Sequence, residues 1–154
     1  MAENAQYVTL GVAGDLYAAP VEQVQEILDM RPVARLPKAP ANLLGMTDVR
    51  GEGVPVLDLR LTLGLPHAED TENTRIVVLK LGHDAKDVTV GLRTDRVYEV
   101  TVLDNGALEP PPAVAAGWNS SAVAGIGRRN GNFVTVLDLD RLLDAEAGFI
   151  AGTA

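Results

Sequence analysis

Val54-Pro55-Val56-Leu57-Asp58-Leu59 returns eighty residues later as Val134-Thr135-Val136-Leu137-Asp138-Leu139, and at the same shift Gly45 falls on Gly125 and Gly51 on Gly131. In each copy alternate residues face inward along a strand, the Asp caps the segment after it, and the final Leu closes one end of a small barrel. A second echo lies upstream. Val24-Gln25-Glu26-Ile27 matches Val97-Tyr98-Glu99-Val100 at a shift of 73, and Ala18 falls on Gly91. The change of shift implies loops of unequal length in the two halves. A mainly β fold is expected, with two small five-stranded barrels side by side and a few short helices. Halves of roughly 70 residues bury too little to stand alone, so the barrels share one core.

Around these copies the apolar residues come in short runs rich in Val and Leu, punctuated by Gly, Asn and Asp, which reads as strands. The runs are Tyr7–Val12, Leu16–Ala19, Val33–Leu36, Leu44–Val49, Val54–Leu57, Ile76–Leu81, Val88–Leu92, Val97–Leu103, Val123–Gly127 and Phe133–Leu137. Ala13-Gly14-Asp15, Gly51-Glu52-Gly53 and Asn130-Gly131-Asn132 read as hairpin turns, because they supply residues that tolerate positive φ. Helical spacing is confined to Val21–Leu28 and to Leu139–Ala145, the latter capped by Asp138 or Asp140. Residues 6–145 read as a single domain. Its first barrel spans about 6–66 and its second 75–145, with strand exchange between them admitted, and 67–74 form an acidic loop.

The 154 residues carry 13 Lys+Arg against 21 Asp+Glu, a formal charge of −8, with no cysteine and two histidines. Cysteine nucleophiles, thiolate metal sites and disulfides are thereby excluded. The acidic balance repels a phosphate backbone and only six aromatics are present, so a nucleic-acid partner is disfavoured. Met1–Gln6 has no secretory pattern, and the uncharged stretch Pro110–Gly127 holds three prolines and several polar residues, which disqualifies it as a membrane span. A cytoplasmic protein is expected.

No catalytic set emerges. His67 and His83 have no nucleophile or metal-ligand spacing nearby, Gly125-Ile126-Gly127 lacks the third glycine of a dinucleotide loop, and Asn119-Ser120-Ser121 is not a nucleophile elbow. Neither cofactor nor metal is expected. Two charged residues stand out. Arg50, before Gly51 at a strand tip, can hold its guanidinium over a neighbouring surface, and Glu26, read on the short helix, can reach it across the first barrel. A surface ion pair of little energetic weight is the plainer reading of the two.

The run Ala39-Pro40-Ala41-Asn42-Leu43-Leu44-Gly45-Met46-Thr47-Asp48-Val49-Arg50-Gly51, then Val54-Pro55-Val56-Leu57-Asp58-Leu59-Arg60, resembles the signature of CheW-type chemotaxis adaptors. Tyr7 to Gly11, Val24 to Ile27, Val33 to Pro37, Val90-Gly91-Leu92 with Asp95 and Val97, and Val134 to Leu143 are similar to that family too. The resemblance implies two SH3-like five-stranded barrels around a shared core and a non-enzymatic adaptor. The partners it implies are the regulatory domain of the histidine kinase CheA and the cytoplasmic tip of a methyl-accepting chemoreceptor. The adaptor is then a monomer when free, assembled in arrays, and recruited to the inner face of the membrane through receptors without inserting in it. Carried over by motif, the partner positions are Val24, Glu26, Val33, Gly45, Arg50, Gly91, Val97 and Gly125.

Arg93-Thr94 stands where the family usually has two apolar residues, implying a more polar edge on the second barrel, and Glu52-Gly53 is a charged version of a turn that is often apolar. The start at Met1 and the end soon after the last helix favour a stand-alone adaptor over a module fused to a kinase or receiver. Rival readings are an adaptor of the same fold in another chemosensory pathway, a small-barrel nucleic-acid binder and a hydrolase. The binder requires a basic aromatic face, and the hydrolase a nucleophile and base.

Overall fold

Two-residue turns with both central residues at positive φ match the right-handed twist of paired strands, and three of them set this architecture: Ala13-Gly14 (φ 54° and 86°), Arg50-Gly51 (54° and 86°) and Asn130-Gly131 (54° and 82°). They join β1 (Tyr7–Val12) to β2 (Asp15–Pro20), β4 (Leu43–Val49) to β5 (Glu52–Asp58), and β9 (Val123–Arg129) to β10 (Asn132–Leu137). The second turn is therefore Arg50-Gly51 and not Gly51-Glu52-Gly53; Glu52 pairs with Val49 and already belongs to β5. The remaining strands are β3 (Val24–Asp29), β6 (Arg75–His83), β7 (Lys86–Thr94) and β8 (Arg96–Thr101). This computed structural model describes residues 5–83, 86–112 and 122–143. Trp118 and Asn119-Ser120-Ser121 lie outside the described residues.

The strands form two five-stranded sheets, in the orders β3-β6-β7-β5-β4 and β8-β1-β2-β10-β9. Each sheet curls as an SH3-like barrel, but its two edge strands share no ladder, so neither barrel closes. The repeat holds to the residue. Gly45 faces Val56 as Gly125 faces Val136, Val56 runs parallel to Gly91 as Val136 does to Ala18, and the outer edges of β4 and β9 are covered by single bridges, Ala34 to Met46 and Glu109 to Ile126. Covering an outer edge in this way leaves fewer free backbone groups to template aggregation.

Sheet membership does not follow the two halves of the chain. Strands β6 and β7 from the second half complete the sheet of β3–β5, while β1 and β2 from the first half complete that of β8–β10. The halves thus exchange their leading hairpins, and the break at 67–74 is no boundary between barrels. Exchange gives each hairpin two apolar faces to bury. Val8, Leu10 and Val12 of β1 meet Val77, Leu79, Leu81 and Leu92 in the core between the barrels, joined by Leu57, Leu59, Leu137 and Leu139. The opposite faces fill the separate interiors, Val56, Ile76 and Val78 in one and Ala18, Val134 and Val136 in the other. Each fully buried Leu or Val contributes on the order of 2 kcal/mol relative to exposure.

Two further expectations change. Val21–Leu28, read as helix, is a 3-10 turn (Val21–Gln23) leading into β3. Long-range pairing with β6 overrides a local spacing that mimics a helical stripe. Val33–Leu36, read as a strand between Pro32 and Pro37, makes only the Ala34 bridge, since proline cannot donate to a ladder. The closing helix is confirmed over Leu139–Leu142 with Asp138 as N-cap; residues 144 and 145 lie outside the described residues. Its counterpart α1 (Leu59–Thr62) is capped by Asp58, whose Oδ1 accepts from the Arg60 N–H at 3.0 Å; the closing helix is α2.

Candidate protein-interaction site

Strands β3 and β4 are the two edges of the first sheet, and a side-chain pair spans the gap that their backbones leave open. Arg50, at the first position of the β4–β5 turn, donates from Nε to Glu26 Oε2 at 3.1 Å and from Nη2 to Oε1 at 3.0 Å. Glu26 is on a strand and not on a helix, so the two side chains meet from opposite edges of one curled sheet. The fork-to-fork bonding holds the Glu26 carboxyl below the usual carboxylate range and raises Arg50 in return. The Arg50 side chain is 80% exposed against 24% for Glu26, so the guanidinium keeps one face for a visitor. Around the pair runs an open groove of about 470 Å³, with Gln25, Val49, Glu52 and Val54 on its walls.

Arg50 occupies this place in left-handed backbone, which a β-carbon disfavours by about 1–2 kcal/mol. The equivalent turn residue in the other barrel is Asn130, a type that tolerates such backbone well.

The other positions singled out in the sequence do not join this groove. Val24 and Val97 are half-buried and pack against the shared core, and half-buried Val33 packs on the interior of the first barrel. Gly45 has φ 145° and a β-carbon there would overlap the Ala34 carbonyl, so only glycine admits the bridge that covers β4. At Gly91 a β-carbon would lie 2.9 Å from Ile76, and at Gly125 3.0 Å from Leu108. These residues shape the barrels that carry the Glu26–Arg50 pair.

A second groove, of about 600 Å³, occupies the equivalent place on the other barrel. There Arg129 donates from Nε to Glu99 Oε2 at 3.2 Å, again from one edge strand to the other. Sequence reading missed it, although the shift of 73 already aligned Glu99 with Glu26. Its walls carry exposed Tyr98 and Phe133, stacked under Arg96 and Arg128 at 4.8 and 4.3 Å.

Arg93, expected to make an edge of the second barrel more polar, lies in the first and is only 2% exposed. It donates from Nε to Asp70 Oδ1 at 2.8 Å and from Nη2 to the Ala68 carbonyl at 2.8 Å, and Nη1 stands 3.5 Å from Asp58 Oδ2. His67 Nδ1 is 3.4 Å from the same Asp58 oxygen. Next to this cluster, Arg60 grips Asp95, which also accepts from the Ala13 N–H at 2.9 Å, and Thr94 donates to the buried Gly11 carbonyl, so charged and polar bonds tie the barrels together. Among the described residues no group of three or more His, Asp or Glu is arranged to hold a metal ion.

Residues 6–147 match the profile of the CheW-like domain family. The chain is 28% identical to the chemotaxis protein CheW of Helicobacter pylori, covering 92% of this chain and 82% of that one. It is 30% identical to the protein FrzA of Myxococcus xanthus, at 84% and 80% coverage. Among solved structures, the scaffolding protein TtCheW of Thermoanaerobacter tengcongensis superposes with a TM-score of 0.78 at 26% identity, over 91% of this chain and 92% of that one.

Proposed function

Because the chain belongs to the CheW-like domain family, a family of non-enzymatic chemotaxis adaptors, we propose that it couples a chemoreceptor's cytoplasmic tip to the regulatory domain of the histidine kinase CheA. It acts by position. The kinase domain docks on the first barrel at the Glu26–Arg50 groove, and receptor state is passed to kinase autophosphorylation through the rigid two-barrel body. Val24, Val33, Gly45 and Gly91 hold the first barrel in shape, and Val97 and Gly125 do the same for the second. The adaptor works in the cytoplasm, brought to the inner face of the membrane by receptors; among the described residues no helix is long and apolar enough to cross one.

The observation that carries this reading is Arg50 itself, a strained turn residue with an exposed guanidinium locked by a bidentate partner. A planar fork already ordered loses little entropy on binding, and arginines in such settings are enriched among interface hot spots. Co-sedimentation of the protein with receptor-bearing membranes and kinase, together with receptor-coupled autophosphorylation, tests it on Arg50→Ala and Glu26→Ala. Both variants should fold, and kinase binding or activation should fall about thirtyfold. Parent-level coupling in both removes the pair from the site.

A further inference from the structure

The three two-residue hairpin turns share one backbone, and two of them are held by a carboxylate from a distant part of the chain. At the β9–β10 turn the Asp104 carboxyl bridges both central N–H groups, Oδ1 accepting from Asn130 at 3.1 Å and Oδ2 from Gly131 at 3.0 Å. These bonds hold the Asp104 carboxyl below its ordinary value, because they favour the charged form. At the β1–β2 turn Asp95 Oδ2 accepts from the Ala13 N–H at 2.9 Å. The β4–β5 turn is the exception. Among the described residues no side chain accepts from the N–H of Arg50 or of Gly51, although the Arg50 guanidinium is engaged by Glu26.

The donors themselves are alike. Arg50-Gly51 has φ 54° and 86° against 54° and 82° at Asn130-Gly131, so its two N–H groups are set out as the same pair. Both residues are exposed, and nothing stands within 4 Å of where a Gly51 β-carbon would lie, so the approach is open. The repeat accounts for the missing acceptor. The shift of 73 that aligns Glu99 with Glu26 also places Leu103 on Met30, each packed inside its own barrel, and Asp104 on Arg31. Arg31 turns to the Asp48 carbonyl, donating from Nη1 at 3.3 Å. Where the second barrel offers its turn a negative charge, the first offers a positive one. Arg50 adds to this, because Glu26 engages Nε and Nη2 and leaves Nη1 with two donors on a side chain that is 80% exposed.

We propose that the Arg50-Gly51 turn is completed by one carboxylate of the kinase regulatory domain, an Asp or Glu whose two oxygens accept from the Arg50 and Gly51 N–H groups as those of Asp104 accept from Asn130 and Gly131. The choice of partner rests on the adaptor reading, which this contact makes specific. Arg31 and Arg50 attract the visiting charge, and main-chain donors fixed by the hairpin orient it, which a flexible surface ion pair does not. Asp48 and Glu52 flank the turn without bonding to it and limit what enters, since a phosphate dianion meets twice the repulsion that a carboxylate does.

The test follows the Arg50 and Gly51 amide protons by NMR in the full chain as the kinase regulatory domain is added, with the movement that Asp104→Ala causes at Asn130 and Gly131 as the scale. Both protons should move downfield on binding. Changing the kinase domain's exposed Asp and Glu residues singly to Asn and Gln should yield one variant that loses this movement and binds about tenfold more weakly. Arg31→Asp supplies the carboxylate from within the chain. It should move the same protons with no partner present and weaken kinase binding about tenfold, whereas Arg31→Ala should leave the protons in place. Kinase binding with both amide protons unmoved overturns the docking alone, as does a movement that survives every kinase substitution. So does an Arg31→Asp chain that folds, moves both protons and still binds the kinase as the parent does. Acetate or inorganic phosphate that moves the protons as far by itself reduces the turn to a free-anion site and overturns the docking too. If Arg31→Asp does not fold, the titration of the parent and the kinase substitutions decide. A parent that does not bind the kinase domain overturns the adaptor reading and the docking with it.

Discussion

At the turn ending β4 the first barrel carries Arg50 in left-handed backbone; at the turn ending β9 the second carries Asn130, with its arginine, Arg129, one residue back in the strand. Both barrels staple their open edges with a Glu–Arg pair. In the first the fork is bidentate and stands out to solvent, and in the second it is a single bond beside two exposed aromatics. The helix caps differ as well. Asp138 is 34% exposed and serves its helix, whereas the Asp58 side chain is fully buried and meets Arg93 and His67 besides capping α1. One backbone plan therefore supports two surfaces of different chemistry, because the residues that the plan leaves free are those at turns and strand ends.

The largest test asks whether the two interiors are equivalent. Val56 and Val136 are 0% and 2% exposed at matched places, so Val56→Asp and Val136→Asp should each lower stability by about 3 kcal/mol or more through an unpaired buried charge. Denaturant titration of both checks this, and a midpoint unchanged in either breaks the equivalence. The caps should then separate the barrels. Asp58→Ala removes a cap and also the carboxylate facing buried Arg93 Nη1, leaving Arg93 with Asp70 alone, and should cost about 3 kcal/mol, whereas Asp138→Ala should cost about 1 kcal/mol, the usual loss of a cap. Equal losses would mean that Arg93 adds nothing.

A smaller effect is expected at the joint between barrels. Burial pushes the Asp95 carboxyl up, but bonds from Arg60 and from the Ala13 N–H outweigh it and leave the group below its ordinary value. A depressed carboxylate contributes stability above its unfolded pKa and loses that contribution as pH falls through the folded one. The protein should therefore weaken in acid below about pH 4, and Asp95→Asn should make that slope shallower when unfolding midpoints are compared from neutral pH downward. The smallest effect belongs to Arg50→Asn, which copies the second barrel's turn into the first. It should leave the unfolding midpoint level or slightly raised while partner binding falls, the opposite sign from a residue kept for stability.

Much of the fold was legible because repeats report on faces. The Val-x-Val-Leu-Asp-Leu copies placed both inner hairpins and both caps. Strand β3 was not legible, and the cause is local: a charged Glu26 takes a half-buried position and Ile27 an exposed one at 40%, so hydrophobic alternation fails where the site lies. Arg50 and Glu26 could be paired from sequence, but the helical reading hid that they sit on opposite edges. Arg93 was marked as unusual in an apolar run, yet its burial depends on the loop carrying Ala68 and Asp70 and no strand pattern encodes that. Nor can a repeat say which hairpin pairs with which half, since exchanged and unexchanged barrels bury the same residues.

That exchange sets an order of events during synthesis. Every strand of the first barrel is available once β7 leaves the ribosome, whereas β2, made early, must wait for β10, its parallel neighbour, made last among the strands. At ordinary elongation rates the wait is on the order of ten seconds. During it the apolar face of Val8, Leu10 and Val12 already has a seat, because its partners across the shared core, Val77, Leu79 and Leu92, belong to the barrel that forms first. The early barrel thus shelters the oldest piece of chain until the strands that will flank it arrive.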